Sequence, residues 1–162
     1  MNKSNAMHIH FPSLRRLFVS AAASGLLLAG ATQAYAQTSP DATLAAAAKE
    51  PGAKVTASGL VIRMTKEGNG AQPTASSTVK VHYKGTFPDG KVFDSSYQRG
   101  EPIEFPLNGV IKCWTEGVAL IKTGGAAKLT CPSSIAYGAR GAGGVIPPNA
   151  TLVFEVELLG VR

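Results

Sequence analysis

The chain is 162 residues long, with 44% hydrophobic and 16% charged residues, which suits one folded domain and excludes a disordered chain. Its formal net charge is +6, but Lys3, Arg15 and Arg16 contribute three positive charges within the first 36 residues, where no acidic residue occurs. The surplus left beyond them is small and scattered, too weak for a nucleic-acid surface.

Residues 1–36 read as a signal peptide. A basic start is followed by an apolar run from Leu17 to Gly30, and Ala34-Tyr35-Ala36 offers small residues at the positions a signal peptidase reads. The run is shorter than the roughly 20 residues of a spanning helix. A periplasmic or secreted protein is therefore expected, with no membrane span after cleavage.

Residues 37–58 are rich in alanine, lysine and small polar side chains and read as a flexible tether. Within them Asp41 would cap a short helix through Ala45–Ala48, ended by Pro51-Gly52. From residue 59 to residue 162 the pattern is that of a domain. Leu60, Ile62 and Met64 alternate as a strand, and Val79, Val81 and Tyr83 as a cleaner one. Pro88-Asp89-Gly90 is a turn. Val92-Phe93 resumes extended structure, and Glu101 to Leu107 reads as a short edge strand.

Cys113 to Lys122 is the one good helix, with Trp114, Val118 and Ile121 on its apolar face. Ala127, Leu129 and Cys131 alternate again, and Gly138 to Pro148 is a glycine-rich loop. Leu152, Phe154, Val156 and Leu158 form one face of a last strand. One short helix against about five antiparallel strands makes an α+β domain.

Standard catalytic equipment is missing. No G-x-S-x-G elbow occurs. His8 and His10 fall in the leader, leaving His82 on the exposed phase of a strand, where it reads as a solvated side chain. One histidine and two cysteines do not make a zinc site, so neither a metal nor a cofactor is expected. Residues 138–144 have the composition of a phosphate loop, but Val145-Ile146-Pro147 follows instead of a lysine and a helix. Cys113 and Cys131 either pair, as two cysteines in an exported chain usually do, or stay as buried free thiols. A bridge over that loop would stabilise by about 3 kcal/mol. What stands out is a set of aromatics beside loops: Phe93 before Asp94-Ser95-Ser96, Trp114 at the helix start, Tyr137 before the glycine loop.

Four blocks then carry a resemblance. They are Val81-His82-Tyr83-Lys84-Gly85 with Asp89 to Ser96, Val110 to Gly117, Ala136-Tyr137-Gly138, and Ile146 to Leu159. Together, in this order and spacing, they resemble the FKBP-type peptidyl-prolyl cis-trans isomerase family over roughly Leu60 to Val161. The resemblance implies a bent antiparallel sheet wrapped around one short helix, with a pocket between them.

Carried over position by position, it implies Tyr83, Asp94, Trp114, Tyr137 and Phe154 as catalytic residues. Phe93, Arg99, Ile103, Val110, Ile111, Val145 and Ile146 would bind substrate. Trp114 would be the floor for the proline ring. Tyr137 would offer its hydroxyl, and Ile111 its backbone N–H, to substrate carbonyls. Asp94 would be tied to Tyr83 or Arg99. The implied partners are proline-containing unfolded or partly folded polypeptides, with macrolides (tacrolimus, rapamycin) as inhibitors, and the implied state is a monomer.

The chain departs from the family pattern at Cys113, where glycine is frequent, and at Cys131, where an aliphatic residue stands. Both departures favour a bridge. Ala142 replaces a frequent histidine and Ile103 a frequent aromatic. The competing reading is a chaperone-like binding module that uses the same pocket with little turnover.

Overall fold

The computed structural model describes residues 40–162. The expected signal peptide lies outside the described residues. The first element is a helix, α1 (Pro40–Ala48), ended before Pro51-Gly52 as the sequence suggests. Three residues of strand follow, β1 (Ala53–Val55), and then β2 (Val61–Lys66). β1 pairs antiparallel with β2, Lys54 opposite Ile62.

Much of the segment read as a flexible tether is thus attached to the sheet. Glu50 explains why: its carboxylate holds Arg63 at 2.7 Å and Lys128 at 2.5 Å, and Ala47 is buried nearby. The sequence shows no run of large apolar residues there because backbone pairing and ion pairs make most of the attachment.

The longest strands are those with the cleanest alternation. In β3 (Thr78–Thr86) Val79, Val81, Tyr83 and Gly85 face inward, and Lys80 faces out. β4 (Val92–Ser95) leads directly into a single helical turn, α2 (Ser96–Arg99). Ser95 caps that turn by accepting the Gln98 N–H. β5 (Ile103–Pro106) follows. α3 (Lys112–Val118) is shorter than its apolar spacing suggests, but Trp114, Val118 and Ile121 are buried as that spacing requires. Its last turn tightens, with Leu120 and Ile121 N–H groups bonding carbonyls three residues back. β6 (Ala126–Cys131) and β7 (Leu152–Val161) complete the sheet.

The sheet has seven strands in the order β1-β2-β6-β7-β3-β4, with β5 also on β3. About five were expected. The difference comes from β1 and from β3, whose one edge serves two partners: residues 78–81 pair with β5 and residues 84–86 with β4. Register shifts occur at 64/66, 80/81 and 85/86. Such bulges sharpen strand twist and bend a sheet. The concave face holds one apolar cluster in which α3 lies against β6. Cys113 at the start of α3 is disulfide-bonded to Cys131 at the end of β6, with Cα atoms 5.9 Å apart. Among the described residues, no helix is long and apolar enough to cross a membrane.

Candidate active site

A cavity of about 500 Å3 opens between α3 and the concave side of the sheet. Its floor is Trp114, which is 6% exposed. The Tyr83 ring meets it edge-on at 5.0 Å and the Phe154 ring at 5.3 Å, while Phe105 tilts against it at 5.4 Å. Phe93 closes the box edge-on against Phe154 at 5.6 Å. Edge-to-face contacts of this kind stabilise by about 1 kcal/mol each beyond burial, so the walls hold one another upright. The indole N–H of Trp114 is buried without a hydrogen-bond partner.

One wall carries charge. Tyr83 donates its hydroxyl to one oxygen of Asp94, and Arg99 donates to the other. Arg99 also donates to the Tyr83 oxygen at 2.9 Å and places its guanidinium 5.5 Å from the Tyr83 ring centre. Local structure sets this up: Gly85 faces Asp94 across β3 and β4, and the α2 turn brings Arg99 back over β3.

Buried Ser96 pins the two strands by accepting the Tyr83 N–H at 2.7 Å. His82, read as a solvated side chain, is half-buried instead. It shares a 2.9 Å hydrogen bond with Ser96 and stacks on Tyr97 at 4.6 Å.

Burial pushes the Asp94 carboxyl up, but the hydrogen bonds from Tyr83 and Arg99 outweigh it and hold the group below the usual carboxylate range. The Tyr83 phenol is raised, first by burial and then by its bond to Asp94. The cluster is therefore a carboxylate, a guanidinium and a neutral phenol near neutral pH. Because the Asp94 pKa is depressed in the fold, the stability it adds is full above the ordinary carboxylate pKa of about 4 and fades as pH falls through its folded value. Asp94 and Arg99 are each 42% exposed, so solvent screening keeps the contribution of the pair small. Urea unfolding of wild type and Asp94→Asn should differ by a constant amount above the ordinary carboxylate pKa, and the gap should narrow as pH falls below it, through the depressed folded value. A gap that widened on acidification would contradict this assignment.

Tyr137 stands at the rim, 38% exposed, with its phenol raised by burial and then by the Asp94 charge. Its hydroxyl has no bond within the described protein. Neither does the Ile111 N–H, one of the orphan donors at the start of α3.

Of the twelve residues named from the sequence, Tyr83, Phe93, Asp94, Ile103, Val110, Ile111, Trp114, Tyr137 and Phe154 line this cavity. Three do not. Arg99 sits behind the wall, bonded to Tyr83 and Asp94. Val145 and Ile146 line a neighbouring cavity under the 140–148 loop, where Ala142 and Ile146 form an isolated bridge, and Ile146 is buried in the same apolar cluster as Trp114 and Phe154. Phe105 and Gly109 line the cavity and were missed. The β5 alternation had offered Phe105: it faces Val79 in register, one step along from Ile103 opposite Val81.

Gly85 was also missed as a site residue. A Cβ there would stand 2.6 Å from the Phe93 ring and 3.0 Å from that of Phe154. Gly85→Ala should therefore displace both rings, destabilise by about 1–3 kcal/mol and open the box. A thermal melt and a binding assay on one sample check it. Unchanged values in both would show that the rings yield freely.

The arrangement suits binding without covalent chemistry: an aromatic slot, a neutral phenol at the rim and a free backbone N–H. A sequence model of the FKBP-type peptidyl-prolyl cis-trans isomerase family matches residues 69–159. The chain belongs to that family. It is 56% identical over 115 residues to the FKBP-type peptidyl-prolyl cis-trans isomerase FkpA of Escherichia coli K12, covering 71% of this chain and 42% of that one. FK506-binding protein 1 of Dictyostelium discoideum is 57% identical over 103 residues, 62% of this chain and 96% of its own. The crystal structure of E. coli FkpA superposes with a TM-score of 0.74 at 51% identity, covering 76% of this chain and 57% of that one. The sequence match thus spans less than half the length of the E. coli relative.

Proposed function

We propose that this protein accelerates cis-trans rotation about X-Pro bonds in exported polypeptides. The observation that carries the proposal is the Trp114-floored aromatic box with its flanking free donors. Rotation about an amide meets a barrier of about 18–20 kcal/mol because resonance is lost at the twisted geometry. No bond is broken, so the residues need only bind the twisted form better than the planar one. A planar amide is the more charge-separated, and an apolar box disfavours it relative to the twisted amide. Trp114 would receive the proline ring, and the Tyr137 hydroxyl and Ile111 N–H would hold carbonyls on either side of it. Asp94 and Arg99 would keep Tyr83 fixed.

Export rests on the leader pattern, and the Cys113–Cys131 bridge suits an oxidising compartment. Proline-containing unfolded chains are the natural partners of such a site. A macrolide would compete for the same box.

The test is the isomerisation rate of a short X-Pro peptide with the purified protein, beside Tyr137→Phe. The expected result is strong acceleration by wild type and a loss of about tenfold in kcat/KM in the variant, the worth of one hydrogen bond made in the transition state. A folded protein that binds the peptide without accelerating its isomerisation would leave a binding module instead.

A further inference from the structure

Beside the aromatic cavity lies a larger one of about 770 Å3, between the turn at 87–91 and the loop at 140–148. The two adjoin. Phe87, which lines the larger, has its ring 5.1 Å from that of Phe93, which lines the smaller. The Tyr137 carbonyl accepts the N–H of Gly141, so one loop borders both.

Two backbone bonds between Ala142 and Ile146, at 3.0 and 2.9 Å, hold the loop tip as a small hairpin. That pairing leaves Ile146 buried as an apolar floor and Val145 57% exposed above it. The rim is cationic. Lys91 and Arg140 are exposed and enter no ion pair among the described residues. One carboxylate is there too, Asp89, which accepts the Lys91 backbone N–H at 2.9 Å and leaves the two cations in excess by one charge.

We infer that this second cavity is a subsite for the polypeptide segment adjoining the X-Pro bond, and that it selects segments with an acidic side chain beside an apolar one. The inference rests on the proposed isomerase reading. Rotation requires one side of the bond to be held while the other turns, and a proline seated on Trp114 fixes one side only. Extended chain advances by roughly 3.3–3.6 Å per residue, so two or three residues reach from one cavity into the next. There the apolar side chain meets Phe87 and Ile146, and the acidic one meets Arg140 and Lys91. Binding energy gained away from the reacting bond lowers the barrier only when it helps fix the twisted form, and a clamp on the flank does so.

The test uses one short X-Pro peptide and versions extended by three residues on either side, each carrying Glu or Lys. kcat/KM is measured at low and at high salt, and affinity is read from the fluorescence of Trp114, the single tryptophan. A partly exposed charge pair is worth about a two- to fivefold effect. The expected result is that preference for Glu over Lys, on one side only, lost in high salt and inverted in Arg140→Glu, with the short peptide turned over equally by both proteins. No preference, or equal preference on both sides, overturns the inference, since the second is general attraction to a basic domain. Preference that survives Arg140→Glu also overturns it. If Arg140→Glu slows the short peptide too, the loop itself has moved, and Lys91→Glu then decides by the same criterion. A wild type that leaves the short peptide unaccelerated sinks the isomerase reading separately. The fluorescence affinities still decide whether the subsite exists.

Discussion

Trp114→Ala is expected to cost about 3–5 kcal/mol of folding stability and to abolish measurable isomerisation. Trp114 is buried against Tyr83, Phe105 and Phe154, so its removal leaves a hole that three rings cannot all collapse into. A domain of this size has about 5–15 kcal/mol in total, so the variant stays folded only with a thin margin. Its urea midpoint, at unchanged slope, measures the first effect. The second is separated from unfolding by Trp114→Phe, which keeps a ring in place. We expect Trp114→Phe to remain well folded and to retain part of the activity. Full activity in folded Trp114→Ala would mean that the proline ring does not rest on this floor.

Removing the bridge, as Cys113→Ala with Cys131→Ala, should destabilise by about 3 kcal/mol, the chain-entropy value for a loop of this length. Both sulfurs are fully buried, so the native protein should resist reductant and show the loss only when it unfolds under reducing conditions. Cys113 directly precedes Trp114. The double variant should therefore also raise KM more than it lowers kcat, because the floor loses its anchor to β6. A stability change below about 1 kcal/mol would show that packing alone seats α3.

The sequence was most legible where one face of an element is buried and the other is not. Val79, Val81 and Tyr83, or Leu152 through Leu158, state their strands by alternation, and Trp114, Val118 and Ile121 state their helix by spacing. The aromatic box was legible through the family resemblance, since its residues are far apart in the chain. What escaped depended on backbone geometry or charge. β1 is three residues long and is held by Glu50, which no apolar pattern reveals. Val145 and Ile146 share a motif with the site but line the neighbouring cavity, beside the Ala142–Ile146 bridge. His82 sits on the outward phase of β3, yet the α2 turn covers it with Tyr97 and Ser96. A period of two says which way a side chain points and nothing about what folds over it.

The central place of β7 in the sheet has a kinetic consequence. It lies between β6 and β3, and it carries Phe154. A chain emerging from its N-terminus has already made β3, whose inner edge must wait about seventy residues for its partner. Until then neither the middle of the sheet nor one wall of the box exists. Assembly is thus nearly all-or-none and dominated by pairings remote in sequence, which places the domain among slow folders, on the scale of milliseconds to seconds. The aromatic box therefore takes its final shape only when β7 arrives.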